Sequence, residues 1–157
     1  MIRFIAAIDA ERGIANDHGI PWRGKIPGDI AHFRASTLHS TIMMGYGWYN
    51  EQIKPLPERK NLVATSQPVS LRPGFEKIID AREFLEHAKD DIWVGGGAGL
   101  FASTLDLAHE LHLTILETSF QCTKFFPEYS DAFIQTKTSE PITENGITYR
   151  ITVWKRK

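Results

Sequence analysis

The stretch Trp93-Val-Gly-Gly-Gly-Ala-Gly-Leu-Phe101 runs a short apolar strand straight into glycines that open a helix. A strand ending in this way points backbone amides at whatever lies beyond it, and such an arrangement suits a phosphate. The run does not fit the dinucleotide fingerprint, because counting from Gly95 puts Leu100 where the last Gly should stand. No Lys-Ser/Thr follows, so it is not a Walker loop either. From this run alone, anion binding and a tight strand–helix turn needing close backbone approach are equally open.

Working outward, strands and helices alternate. Ile2 to Ile8 is nearly all apolar and reads as a strand buried on both faces. Residues 9–24 hold Gly13, Asn16, Asp17, Gly19, Pro21 and Gly24 and form a long loop, of a length often tied to function. A helix is expected from Pro27 to Leu38, a strand over Ser40–Met44, and a helix over 46–53 ended by Lys54-Pro-Leu-Pro57. Strands follow at Lys60–Thr65 and Glu76–Ile79; Asp80 then caps a helix to about Lys89. Ile92–Val94 is the strand before the glycines, the helix after them runs to about Ala108, and Glu110–Leu116 is a strand. At the end, Asp131–Thr138 and Ile147–Lys155 are strand-like runs joined by a loop holding Asn145-Gly146, a strong turn signal. The alternation predicts one α/β domain over residues 1–157, with a mainly parallel sheet and a C-terminal antiparallel hairpin.

The 157 residues suffice to bury most of the chain's apolar surface, and 42% hydrophobic with 24% charged residues is ordinary for a globular domain. A formal net charge of −1 gives no electrostatic case for nucleic acid. The single cysteine, Cys122, makes neither an internal disulfide nor a zinc site of usual spacing, which fits a reducing compartment. The apolar start from Met1 to Ile8 is too short for a signal peptide or a membrane span, so a cytoplasmic protein is expected.

The chemistry centres on Gly19-Ile-Pro-Trp-Arg-Gly-Lys-Ile-Pro-Gly-Asp29-Ile-Ala-His-Phe33. Here a loop with Trp22 leads to Pro27 at a helix start, then to one acid on an otherwise apolar helical face. Phe33 lies four residues on and shares that face. Asp29 is therefore a candidate proton donor in a largely dry pocket, although an acid in the first turn is also favoured by the helix dipole alone. In Lys54-Pro-Leu-Pro-Glu-Arg59, rigid prolines hold Arg59 where it could grip a ligand carboxylate, or simply be a solvated turn charge. The six histidines show no metal-ligand spacing; His18, His32 and His39 are given surface or helix roles. Asp90-Asp91 reads as a structural pair at a helix exit, and no G-x-S-x-G occurs. Neither a bound metal nor a covalent mechanism is expected. What remains suits a small anionic substrate and a phosphate-bearing cofactor.

Taken in order, these residues resemble the dihydrofolate reductase family over essentially the whole chain. The resemblance rests on Ile5-Ala6-Ala7, Gly13-Ile14, Pro21-Trp22, Pro27 to Asp29, Phe33, Ile42-Met-Met-Gly45, Pro55-Leu56-Pro57-x-Arg59-Lys60-Asn61, Ser66-Gln67, Val94-Gly-Gly-Gly97, Leu113-Thr114 and Phe126-Pro127. It implies a mostly parallel eight-stranded sheet flanked by four helices, and hydride transfer from NADPH to C6 of 7,8-dihydrofolate with a proton reaching N5. It makes Asp29, Trp22 and Thr114 the catalytic group, with Asp29 gripping the pterin 2-amino group and N3. The substrate would be lined by Ile5, Ala6, Asp29, Ile30, Phe33, Arg34, Lys54, Leu56, Arg59, Val94 and Thr114, with Arg59 pairing with the glutamate α-carboxylate. The cofactor would meet Ala7, Gly13, Ile14, Ala15, Gly19, Ile20, Gly45, Tyr46, Gly47, Trp48, Thr65, Ser66, Lys77, Gly95, Gly96, Gly97, Ala98, Gly99 and Leu100. Residues 13–20 would be a mobile loop closing over the nicotinamide, and Gly96–Gly97 a cis peptide.

The chain departs from the family pattern on the cofactor side. Tyr46, Gly47 and Trp48 replace Arg, a variable residue and Thr; Ala98 replaces an Arg, and Leu100 an aromatic. Thr65, Ser66 and Lys77 are left for the 2′-phosphate, so both NADPH and NADH stay open. Thr123 also stands where the family has an Asp that ties the mobile loop. Two other readings compete: a reductase of another pterin or of a riboflavin-route pyrimidine, and a non-catalytic pterin- or nucleotide-binding domain. Arg59 argues against the first, since a substrate without glutamate leaves it nothing to bind. Dihydrofolate is the expected partner of a monomer that touches neither nucleic acid nor membrane.

Overall fold

A computed structural model describes all 157 residues. Its large sheet has the strand order β10-β11-β7-β1-β6-β3-β4-β5, with β9 also paired to β11. The strands are β1 (Ile2–Ile8), β3 (Thr41–Gly45), β4 (Lys60–Ala64), β5 (Phe75–Ile78), β6 (Ile92–Val94), β7 (Glu110–Leu116), β9 (Phe133–Thr138), β10 (Ile142–Glu144) and β11 (Ile147–Arg156). The four helices are α1 (Pro27–Thr37), α2 (Tyr46–Glu51), α3 (Ala81–Glu86) and α4 (Ala98–Thr104). Every pairing from β7 through β5 is parallel, whereas β11 runs antiparallel to β7, β9 and β10. After β5 the chain returns to insert β6 between β1 and β3. This is the mixed α/β architecture expected from the sequence, eight strand positions wide.

Both faces of β1 are covered, as its composition requires. Phe4 and Ile8 join the main core with Met43, Leu62, Phe101, Leu111 and Phe126, while Ile5 faces the other way and packs with Ile42 and Trp93. Asp80 caps α3 by accepting from Glu83 N–H at 3.0 Å. Asn145 and Gly146 have φ of 50° and 78°, and these left-handed conformations let two residues close the hairpin.

Several expectations need correction. The tight hairpin joins β10 to β11, not the 131–138 run to the 147–155 run; Ile142–Glu144 is a strand of its own, and β9 pairs further along β11. The helix after the glycines ends at Thr104 and continues only as a 3₁₀ turn over Leu105–Leu107. α3 stops at Glu86 rather than near Lys89. The loop after β1 is not structureless: β2 (Gly13–Ala15) pairs with β8 (Lys124–Phe125) in a separate two-stranded sheet. Within α1 only Thr37 is buried outright, while Phe33 packs against Ile5, Ile42 and Trp93 and Ile30 lines the cleft.

Candidate active site

The carboxyl ends of β1, β3, β4 and β6 open into one cleft of about 1070 Å³. A crevice beyond these ends, where the strand order reverses, is where open α/β sheets bind ligands. One half is walled by Ile5, Ala6, Trp22, Asp29, Ile30 and Phe33; the other by Gly45, Tyr46, Thr65, Ser66 and the glycines from Gly95 to Gly99.

Asp29 sits in the first turn of α1, and Thr114, buried on β7, donates to its Oδ1 at 2.5 Å. Burial raises the Asp29 carboxyl above its ordinary pKa; the Thr114 hydroxyl and His32 oppose that rise, and the charge of Glu144 adds to it. Trp22 is buried against Ile26, Leu116, Ile147 and Tyr149, meets Phe120 edge-on at 5.3 Å, and still forms part of the cleft wall. Phe33 meets Trp48 edge-on at 6.0 Å. Trp48 lies so close to Gly95 that a Cβ there would stand 2.4 Å from its ring. Glycine at 95 is thus what admits the indole between the two halves.

The glycine turn is a cradle. Gly96 has φ of 110°, which an L side chain rarely adopts, and the Gly96–Gly97 peptide is cis. Gly45 N–H donates to Gly96 O at 2.7 Å, bringing β3 against the turn. A Cβ at Gly47, Gly97 or Gly99 would meet nothing within 4 Å. Open space therefore lies in front of the first amides of α4, where a helix has unpaired N–H groups. Behind it, Gln67 N–H donates to the Thr65 hydroxyl at 3.1 Å, and both residues join Ser66 in the cleft wall. A dinucleotide diphosphate fits this cradle.

Not every expected residue reaches the cleft. Ala7, Ile14, Ala15, Gly19, Ile20, Gly47, Trp48, Ala98 and Leu100 do. Gly13 lies behind the wall, where a Cβ would strike Cys122 and Asp9. Val94 and Thr114 are buried beneath the cleft floor. Lys77 stands off on β5, its ammonium donating to Gln67 O. Arg23 and Lys124 are the only cations in the wall, and Arg23 pairs with Glu51 of α2 at 2.9 Å across the mouth.

Arg59, Arg34, Lys54 and Leu56 lie beyond the cleft wall. Leu56 packs on the Ile5–Ile42–Trp93 cluster, and Lys54 edges a shallow neighbouring depression. Arg59 donates to Thr37 Oγ1 at 2.9 Å, Pro57 O at 2.6 Å and Arg34 O at 3.0 Å. Three of its five N–H groups are thereby used to aim it, and two are free. Asn61, buried on β4, fixes the same turn: its Oδ1 accepts from Leu56 N–H, and its Nδ2 donates to Leu56 O and Arg59 O, all at 2.9–3.0 Å.

Sequence reasoning missed Asp9 and Glu144. Asp9 is buried and accepts from Glu11 N–H at 2.9 Å, Gly13 N–H at 2.7 Å and Phe120 N–H at 2.9 Å. It ties the loop after β1 to the segment after β7. Burial alone would raise its pKa, but the Phe120, Gly13 and Glu11 amides and the Cys122 thiol outweigh that and hold it below the usual value. The neighbouring Cys122 thiol is pushed up to about 11 by burial and by the Asp9 charge. The only sequence signal was a charge at the end of an apolar strand.

A half-buried acid and a glycine-lined anion cradle sharing one crevice at the strand ends fit a nucleotide-dependent oxidoreductase of the α/β class. A family model described as dihydrofolate reductase matches residues 1–156. The dihydrofolate reductase of Bacillus subtilis (strain 168) is 32% identical over 162 residues, spanning 100% of this chain and 95% of that one. The dihydrofolate reductase type 3 of Salmonella typhimurium is 32% identical over 131 residues, spanning 82% and 80%. A solved structure, dihydrofolate reductase from Enterococcus faecalis complexed with NADP(H) and RAB-propyl, shares the fold with a TM-score of 0.88 at 24% identity, covering 100% and 96%. The chain belongs to the dihydrofolate reductase family. No helix is long and apolar enough to cross a membrane.

Proposed function

We propose that the protein reduces 7,8-dihydrofolate to 5,6,7,8-tetrahydrofolate by hydride transfer from NADPH, with Asp29 assisting protonation of N5. The observation that carries the residue assignment is the Asp29–Thr114 pair set in the cleft wall beside Trp22 and Phe33. Bound NADPH supplies the hydride. Ile5, Ala6, Ile30 and Phe33 hold the flat pterin and exclude water. Asp29 accepts from the pterin amino group and ring nitrogen and keeps a proton within reach of N5. Its raised pKa keeps a larger protonated fraction near neutral pH than an ordinary carboxyl would. Arg59, already aimed by three bonds, offers its two free N–H groups to the substrate's α-carboxylate.

On the cofactor side, Gly95 to Leu100 take the diphosphate and Thr65 and Ser66 the ribose phosphate, with the loop 13–20 over the nicotinamide. The lack of an arginine at 46 or 98 favours weak rather than absent NADPH binding, because hydroxyls and backbone amides remain. A single domain acting as a cytoplasmic monomer completes the reading. The decisive experiment follows nicotinamide absorbance with dihydrofolate and NADPH, then NADH, then dihydropterin. Oxidation of NADPH by dihydrofolate supports the reading. Turnover of dihydropterin alone, or of neither substrate, overturns it.

A further inference from the structure

Ile26 is the N-cap of α1, and its side chain has no oxygen with which to accept from the first amides. The missing acceptor comes from 116 residues away. Glu144, at the end of β10, accepts from Gly28 N–H with both oxygens, at 3.1 and 3.2 Å. The Tyr149 hydroxyl, on the fully buried Tyr149 of β11, donates to the same carboxylate at 2.6 Å. Glycine at 28 makes this possible: a Cβ there would stand 2.5 Å from the Tyr149 oxygen. Next in the turn, Asn145 Nδ2 donates to Lys25 O at 2.7 Å, so the hairpin tip is also fastened to the chain entering the helix.

These bonds matter because α1 has few apolar anchors, Ile26 at its cap and Phe33 against the Ile5–Ile42–Trp93 cluster. Thr37 is the only buried residue within the helix, and polar ties fix it at three further points: Gly28 to Glu144, Asp29 to Thr114, and Thr37 with Arg34 to Arg59. Asp29 is the residue after Gly28, so whatever sets Gly28 sets the reach of the acid into the cleft.

We propose that Glu144 is a positioning residue for the reduction: a cap supplied by the C-terminal hairpin that places Asp29 and sets a second carboxylate behind it. The inference rests on the reading of Asp29 as the acid. The charged and titratable groups facing Asp29 are His32 on its own helix, Glu144 on β10 and Tyr149 on β11; His32 is in turn faced by His112 on β7. Among these, Glu144 opposes ionisation of Asp29 and His32 favours it. Burial, the Glu144 bond and the Glu144 and Asp29 charges all hold the Tyr149 phenol above its ordinary pKa, so it stays a donor throughout the working range.

The test is the pH dependence of kcat/KM for dihydrofolate with NADPH, together with thermal melting, in the wild-type protein, Glu144→Gln and Glu144→Ala. Gln keeps an oxygen for Gly28 and Tyr149 but not the charge. It is expected to melt like wild type, with the kinetic pKa lowered by roughly half a unit. Ala removes the cap as well and is expected to raise KM for dihydrofolate roughly tenfold, more than it lowers kcat. An unmoved kinetic pKa in Glu144→Gln makes Glu144 a structural cap only and overturns the proposal; if Ala fails to fold, Gln alone decides. Asp29→Asn, measured alongside, separates the two readings. If it keeps the pH limb, the acid has been misassigned. If it loses the limb while Glu144→Gln leaves the wild-type limb in place, only the role of Glu144 falls.

Discussion

Thr114 Oγ1 donates to Asp29 Oδ1 at 2.5 Å, joining β7 to the first turn of α1 across 85 residues of chain. The hydroxyl stabilises the ionised carboxylate and so restrains the rise that burial imposes. Thr114→Val keeps the shape and removes the donor. Its kinetic pKa is expected to move upward, and kcat/KM to fall by about ten- to a hundredfold, the equivalent of one lost charged hydrogen bond of roughly 1.5–3 kcal/mol. A pH–rate profile with an unmoved limb would show that the bond does not govern the acid.

Activity and stability should separate at Asp29 itself. Its folded-state pKa is raised, so the folded protein resists ionisation; the resulting cost is absent below the unfolded value and grows as pH rises through the folded one. Asp29→Asn, which can still accept from Thr114, is therefore expected to melt higher than wild type at pH 7 and to lose that advantage near pH 4. Turnover at pH 7 should drop by at least about a hundredfold, the usual scale of a lost general acid. Calorimetry at the two pH values, beside steady-state assays, tests both signs.

How much of this was visible in the chain depends on range. The glycine turn, the Asp80 cap and the Asn145-Gly146 turn were readable because glycine, a capping acid and a two-residue turn act within a few positions. Asp29, Phe33 and Trp22 were readable as a cleft wall because a helix period and a neighbouring loop place them together. β2 and β8 were not, since strands of three and two residues have no periodicity and exist only by pairing with each other. α1 looked apolar on one face, yet its Ile30 is 44% exposed, because the side chain lines an open cleft instead of a core. Glu144 was invisible for the opposite reason to the turns: its partner amide is 116 residues away.

The Asp9 tie should respond to acid. Its folded pKa is lowered, so its contribution to stability is present above the unfolded value near 3.8 and is lost as pH falls through the folded value. Asp9→Asn leaves three buried or half-buried amides competing for one oxygen. A destabilisation of about 2 kcal/mol is expected at pH 7, or roughly 4–8 °C in Tm, narrowing toward pH 3. Because the tie joins the loop after β1 to the segment after β7, the variant should also show faster amide exchange at Gly13 and Phe120. Equal melting of variant and wild type at pH 7 would remove Asp9 as the anchor.

With the cofactor placed as proposed, its choice turns on position 46. Tyr46 lines the cleft and stacks on Tyr49 with ring centroids 5.7 Å apart, so aromatic packing takes the place of the cation that the resemblance led one to expect there. Only Arg23 and Lys124 are cationic in the wall, and Arg23 is engaged with Glu51. On the proposed placement a 2′-phosphate would meet hydroxyls and backbone, which discriminate less sharply than a guanidinium. Wild-type protein is expected to prefer NADPH over NADH by only a modest factor. Tyr46→Arg should lower KM for NADPH roughly tenfold, the worth of one charged hydrogen bond, and leave NADH within about twofold. Losing the Tyr49 stack acts on both cofactors alike, so the ratio of the two KM values isolates the phosphate. An unchanged ratio would mean that the 2′-phosphate does not sit beside residue 46 and that the Thr65–Ser66 end of the cleft has been assigned wrongly.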